Sequence, residues 1–137
     1  MKTPISAYQE TNGMIYFARM LDKIRKFQNS ELREDFHDNL GKGLDGRCVN
    51  LLRVRYEDLV NRTIEGGTDQ EILQWCFENG RELNQEDIFI WNQFTRKIGW
   101  QDPASDLLRQ RKEESGLAER EDILTMLEYF EYDEGRK

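Results

Sequence analysis

Apolar residues recur at helical spacing along most of the chain, separated by short polar turns. The first such stretch covers residues 14–27, with charged residues on its other faces. Its apolar face consists of Met14, Phe17, Ala18, Leu21 and Ile24. This spacing is typical of an amphipathic helix packed against a core. We predict a helix over 14–27, preceded over residues 1–12 by a lead-in arm or a short extra helix.

Further helices are predicted by residues that favour helix starts and ends. Ser30 is predicted to cap a segment that runs toward Leu40, where glycines end it. Thr68 and Glu71 have the spacing of a capping box, in which each side chain accepts from the other's backbone amide. The predicted helices after residue 54 cover 55–65, 69–79, 85–98, 103–115 and a segment that begins near Glu119.

The apolar run at residues 45–54 is compatible with a strand or a buried helix. We favour a helix, because the sequence offers no second strand to pair with it. We therefore predict an all-α fold, with six to seven helices joined by short turns that contain glycine. Residues 1–137 are predicted to form a single helical domain that ends in a frayed tail at 133–137.

Bulky aromatic residues are numerous in the second half of the chain. At helical spacing such residues belong more often to a core than to a cofactor pocket. We therefore predict that this set is core: Trp75, Phe77, Phe89, Trp91, Phe94 and Trp100.

The net charge of -7 is concentrated in the second half of the chain. Residues 1–65 carry eleven Lys/Arg against ten Asp/Glu, whereas residues 66–137 carry nine against seventeen. Nucleic-acid binding needs a cationic face, so we predict no nucleic-acid partner. No apolar run is long enough to cross a bilayer, and Cys48 and Cys76 lack the spacing of a redox pair. We expect a cytoplasmic protein with reduced thiols and no membrane partner.

A glycine-rich segment, Gly41-Lys42-Gly43-Leu44-Asp45-Gly46-Arg47, is the strongest local anomaly. Its letters match the dinucleotide-binding pattern G-x-G-x-x-G, but that pattern follows a strand, and here a helix is predicted to precede it. It also lacks the ending of a phosphate-binding P-loop. Two interpretations stay open: the glycines turn the chain between two helices, or the loop amides, with Lys42 and Arg47, hold a carboxylate or phosphate.

His37 is the only histidine, which excludes a di-iron site built from two E-x-x-H motifs. A zinc site with Cys48 and Cys76 fits no closed-site spacing. We therefore predict no metal and no cofactor. His37 could act as a general base or activate Cys48, but no hydrolase motif accompanies it.

Four segments together resemble the small bacterial family known as domain of unknown function 5069. The resemblance covers nearly the whole chain and rests on Ala18 to Arg25, Leu40 to Cys48, Gly66-Gly67-Thr68-Asp69 and Ile98-Gly99-Trp100. It implies a cytoplasmic bacterial protein, and it implies no activity for any residue.

The function is therefore a hypothesis at this stage. Our first hypothesis is a non-catalytic helical module that binds a partner protein or a small anionic ligand through residues 41–47. The candidate ligand-binding residues are Lys42, Asp45, Arg47, Arg19, Lys23 and His37. The alternative is a small enzyme whose site gathers His37, Asp45, Arg47 and Cys48 around the same loop.

Overall fold

The chain's first ordered feature is a small β-hairpin that leads into the first helix. In the computed structural model, which describes residues 1–137, strands β1 (Glu10–Thr11) and β2 (Met14–Ile15) pair antiparallel. Asn12 and Gly13 connect them, both with positive φ. Positive φ at both central residues suits the mirror-image turns that join two strands. The hairpin was not predicted, and the alternative of a short extra helix over residues 1–12 is wrong.

The first helix, α1, spans Phe17–Gln28, so it begins three residues later than predicted. Tyr16, the preceding residue, has a φ of 74°, which is incompatible with a right-handed helix. Its buried face otherwise matches the prediction, with Phe17, Leu21 and Ile24 at most 1% exposed.

Ser30 ends α1 and does not begin the next helix. Its φ of 57° is left-handed, and the N–H groups of Ser30 and Glu31 donate to the carbonyls of Phe27 and Lys26. These two bonds form the Schellman motif that closes many helices. The predicted cap at Ser30 is therefore wrong, and the helical segment that follows is a short 3-10 helix, Glu34–Asn39.

Four α-helices follow with bounds close to the predicted ones: α2 (Leu44–Leu52), α3 (Tyr56–Ile64), α4 (Asp69–Asn79) and α5 (Gln85–Lys97). The helix favoured for residues 45–54 is confirmed. The capping box is confirmed too, because the Glu71 N–H donates to Thr68 Oγ1 at 3.1 Å and the Thr68 N–H to Glu71 Oε1 at 2.9 Å.

We expect Thr68→Ala to lower the free energy of unfolding by about 1 kcal/mol, since one amide of the first turn of α4 loses its acceptor. Thr68→Ser keeps that oxygen and is expected to lose much less. Urea denaturation followed by circular dichroism measures both variants. Equal losses in the two variants would contradict the role assigned to the hydroxyl.

The last two helices start later than predicted. Helix α6 spans Ser105–Glu114 and α7 spans Met126–Asp133, so Pro103 precedes α6 and the segment from Glu119 to Thr125 is not helical. Thr125 caps α7 by accepting from the Glu128 N–H. In the predicted tail, the Arg136 N–H donates to the Glu131 carbonyl at 2.9 Å.

The structure is mostly helical, as predicted, with seven α-helices, one 3-10 helix and the hairpin. Internal contacts group the predicted domain into two compact units, Met1–Phe89 and Ile90–Lys137. In the first unit α3 packs against α1 and α4, and both α1 and α4 contact β1. In the second, α6 contacts α7 around a core of Leu108, Ile123, Met126 and Tyr129. No helix is both long and apolar enough to span a bilayer.

The prediction that the aromatic set is core is wrong for most of its members. Trp91 is buried, but Phe89, Phe94 and Trp100 are between 43% and 57% exposed, and Trp75 and Phe77 are half-buried. Helix α5 carries apolar residues at four consecutive positions, 88 to 91, each rotated about 100° from the one before, so one core cannot cover them all.

Candidate functional site

The glycine loop is a tight connection between the 3-10 helix and α2. Gly41 and Gly43 have φ of 77° and 58°, values that residues with a Cβ adopt rarely. Gly41 also lies against Tyr56, the first residue of α3, whose ring would be 2.9 Å from any Cβ at that position. Glycine is therefore required at Gly41 by backbone angle and by space. A helix precedes the loop and no parallel sheet surrounds it, so the fold gives no dinucleotide-binding site here.

Asp45, in the first turn of α2, lies at the centre of a buried polar cluster with Tyr16 and Lys23. Its side chain is fully buried. Oδ1 accepts from the Tyr16 hydroxyl at 2.7 Å and lies 2.8 Å from Lys23 Nζ, which also donates to the Tyr16 oxygen at 3.0 Å. Oδ2 accepts from the Gly41 N–H at 3.1 Å. A buried charge needs such partners, and Asp45 has all of them within the chain.

Tyr16, and Tyr56 near the cluster, both stay protonated at neutral pH. Burial and the neighbouring Asp45 carboxylate raise the pKa of Tyr16 well above its usual value. The pKa of Tyr56 is also raised, first by burial and then by Asp45. The Tyr16 hydroxyl is therefore a donor to Asp45 at neutral pH, and neither ring supplies a phenolate base.

Three amides of the loop donate hydrogen bonds within the chain. The Gly41 amide donates to the Asp45 carboxylate, the Lys42 amide to the Asn39 carbonyl, and the Asp45 amide to the Lys42 carbonyl. These bonds fix the shape of the loop. An external anion would therefore meet the side chains of the loop and not these three amides.

The six candidate ligand-binding residues fall into three groups. The first group is buried and consists of Asp45, Lys23 and Arg19. Asp45 and Lys23 contact Tyr16 directly, and the charge of Arg19 acts to lower the pKa of the same tyrosine. Arg19 also donates to the Ile5 carbonyl at 3.2 Å. None of these three is accessible to a ligand at the surface.

His37 lies on the 3-10 helix, apart from that cluster. Its Nε2 is 2.9 Å from the Leu32 carbonyl, and its ring packs edge-on against Phe27, with centroids 4.9 Å apart. With Nε2 bonded to a carbonyl, this nitrogen carries the proton of a neutral ring, so it is not the basic one. The contacts are those of a structural histidine.

Lys42 and Arg47 form the third group, because both are exposed. They are the cationic side chains that the loop presents to solvent in a chain of net charge -7. Lys42 forms no ion pair with any residue of the chain. The exposed charges of the loop are therefore positive. The loop backbone is fixed by the buried Asp45, which accepts a hydrogen bond from the Gly41 N–H.

The thiols show no sign of catalytic or metal-binding use. Cys48 and Cys76 are buried and free. Burial and then Asp45 raise the pKa of Cys48 well above its usual value, and burial raises that of Cys76 to about 12. A thiol that stays protonated is a poor nucleophile and a poor ligand. No cluster of three His, Cys, Asp or Glu residues is placed to hold a metal ion.

Sequence reasoning missed Tyr16 and Tyr56 as parts of the site. Tyr16 lies 29 positions before Asp45, and its contact with Asp45 depends on the packing of α1 against the loop. No local pattern marks such a pair. The position of Tyr56 directly after the apolar run of α2 gave no signal either.

Comparison with curated proteins finds no match to the chain. A family model, by contrast, matches it over nearly its full length, at residues 1–136. The earlier resemblance rested on the glycine loop and three other segments, and the match extends through every helix described above. The chain belongs to the family described as Domain of unknown function (DUF5069).

Proposed function

We propose that the protein is a non-catalytic helical module that binds an anionic group, on a partner protein or a small ligand, through the Gly41–Arg47 loop. The observation that carries this proposal is the exposure of Lys42 and Arg47 on a loop fixed by the buried Asp45. A rigid loop backbone loses little conformational entropy when it binds, so two cations on it form an effective contact for carboxylate or phosphate.

The enzyme alternative stays a hypothesis, and the contacts of its residues argue against it. Asp45 is fully buried and paired with Lys23, Cys48 is fully buried, and His37 is bonded to a backbone carbonyl. Catalysis needs a nucleophile or base within reach of a substrate. Of the four residues, Arg47 alone is exposed.

A cytoplasmic location in a bacterial cell is part of the proposal. Two free, buried cysteines support it, because reducing compartments keep thiols unpaired. A cytoplasmic protein also meets abundant anionic metabolites and acidic partners that two exposed cations can contact.

We expect Lys42→Ala combined with Arg47→Ala to weaken binding of an anionic ligand by about tenfold or more, since charge-assisted hydrogen bonds are lost. Ligands would be found by a thermal-shift screen of a metabolite library against the wild type, because binding to the folded state raises its stability. Isothermal titration calorimetry would then compare the variants.

The matched control is Lys97→Ala with Arg109→Ala, which removes two exposed cations elsewhere and changes the net charge equally. It is expected to leave affinity unchanged. If every ligand or partner found for the wild type binds the Lys42/Arg47 variant with unchanged affinity, this placement of the site is wrong.

A further inference from the structure

A groove of about 490 Å³ lies in the first unit, and neither Lys42 nor Arg47 lines it. It is bounded by the end of α2, by α3 and by the outer side of α4. Its volume lies within the roughly 300 to 1,000 Å³ usual for small-molecule sites. The lining residues are Arg53, Val54, Arg55, Asp58, Asn61, Arg62, Glu65, Trp75 and Asn79.

Arg53 has the backbone conformation that helix ends usually give to glycine. It follows α2 with φ of 60° and ψ of 37°, the left-handed region. A residue with a Cβ is strained there by about 1 to 2 kcal/mol, and strain of this kind clusters at functional positions. The Arg53 side chain is exposed and forms no hydrogen bond or ion pair within the chain. A strained position thus carries a guanidinium group that no residue of the chain binds.

Arg62 supplies a second guanidinium to the groove. It is half-buried, and its Nη1 donates to the Gly66 carbonyl at 2.7 Å. It forms no ion pair with a carboxylate. The Gly66 carbonyl therefore positions the Arg62 charge, which is partly offset by Glu71, a carboxylate whose pKa Arg62 helps to lower. Arg55 adds a third cation, 3.6 Å from Glu57 at the exposed rim.

Most of the remaining lining residues suit the other parts of a ligand, whereas Glu65 adds a second carboxylate beside Asp58. Trp75 is half-buried and offers an aromatic surface on which a planar ring can stack. Its backbone carbonyl accepts from the Asn79 side chain at 2.9 Å, which fixes the position of Asn79. Asn61 and Asp58 can bind hydroxyl and amino groups. The backbone next to Arg53 is also held in place, because the Arg81 N–H donates to the Leu52 carbonyl at 2.7 Å.

We propose that this groove binds a mononucleotide-like ligand, with its phosphate on Arg53 and its planar base on Trp75. Guanidinium groups bind phosphate in forked pairs, and a bare phosphate would fill only a small part of this volume. The groove does not include the glycine loop, so a negative result at one of the two proposed sites does not contradict the other.

The test uses the full chain and adenosine monophosphate, with adenosine and inorganic phosphate as partial probes. We expect saturable binding by calorimetry, with the monophosphate binding at least about tenfold more tightly than adenosine, because the charge-assisted bonds require the phosphate. We also expect a tryptophan fluorescence change that disappears in Trp75→Phe. That loss would assign the signal to Trp75, since Trp91 and Trp100 remain.

The decisive variant is Arg53→Gly, which removes the guanidinium and suits the left-handed backbone. We expect its melting temperature to equal or exceed that of the wild type, while its affinity for adenosine monophosphate falls about tenfold or more. Arg62→Ala, which removes positive charge at the other end of α3, is expected to weaken binding less than Arg53→Gly does. Arg109→Ala, which removes an exposed arginine elsewhere, is expected to leave affinity unchanged.

Three results would each overturn the proposal: no saturable binding of the monophosphate to the wild type, equal affinity for adenosine, or equal weakening by Arg109→Ala. The Lys42/Arg47 double variant separates the two proposals. Its binding of the monophosphate is expected to match the wild type, whatever becomes of the loop as a binding site.

Discussion

Replacing Asp45 with asparagine is expected to lower the free energy of unfolding by about 3 kcal/mol or more, because it removes the carboxylate that lies against the buried Lys23 ammonium. Asp45 is fully buried, and Lys23 is only 7% exposed. The ammonium lies 2.8 Å from Oδ1 in the native protein. Asparagine has nearly the same shape, so the loss would reflect charge and hydrogen bonding more than packing.

The double variant Asp45→Asn/Lys23→Met tests whether the loss arises from the buried ion pair between Asp45 and Lys23. A buried ion pair replaced as a unit by uncharged groups is often close to neutral in stability, whereas removal of one partner is strongly destabilising. We therefore expect the double variant to be more stable than Asp45→Asn alone. Urea denaturation of the wild type, both single variants and the double variant gives the coupling energy.

Asp106→Asn is the matched control, since Asp106 also pairs with a basic side chain, Arg109, at 2.9 Å. Its side chain is 86% exposed, so solvent screens the pair and little measurable change is expected. If Asp45→Asn and Asp106→Asn shift the urea midpoint equally, the buried cluster does not stabilise the fold as described.

Local signals in the sequence predicted the parts of the fold that depend on neighbouring residues. The capping box at Thr68 and the glycines at 66 and 67 placed the boundary between α3 and α4 correctly, because helix ends have local hydrogen-bonding requirements. The helix at residues 45–54 was correctly favoured over a strand by the lack of a pairing partner.

The hairpin shows where such reasoning fails. Asn12-Gly13 is the strongest short-range hairpin signal, yet each flanking strand has two residues, too few for alternation to be visible. Met14 also fits the helical spacing of α1. Its place in β2 is settled by Tyr16, whose positive φ ends any helix there.

The site was predicted less well than the fold, since its key contacts are long-range. Asp45 was predicted to be a ligand-binding residue of a polar loop, and the structure places it in the core. The sequence gives no sign that a carboxylate beside three glycines will be covered by Tyr16 and neutralised by Lys23. The groove at Arg53 escaped notice for a related reason. Its residues come from separate helices, and the unusual backbone of Arg53 has no marker in the sequence.

Gly80 is expected to be the least replaceable glycine in the chain. It follows α4 and lies directly against the end of α2, where a Cβ would be 2.1 Å from the Leu52 carbonyl oxygen and 2.9 Å from that of Arg53. Both atoms are backbone, so neither can move away as a flexible side chain would. The Leu52 carbonyl is also held by the Arg81 N–H at 2.7 Å.

Gly80→Ala therefore has to separate α4 from the end of α2, and we expect it to lower the free energy of unfolding by about 3 kcal/mol or more. Gly66→Ala is the control, because Gly66 has a φ of 98° with nothing within 4 Å of the new Cβ. It suffers only the left-handed backbone penalty of about 1 kcal/mol. Thermal and urea denaturation measure both. A Gly80→Ala protein as stable as Gly66→Ala would show that the two helix ends do not meet as closely as described.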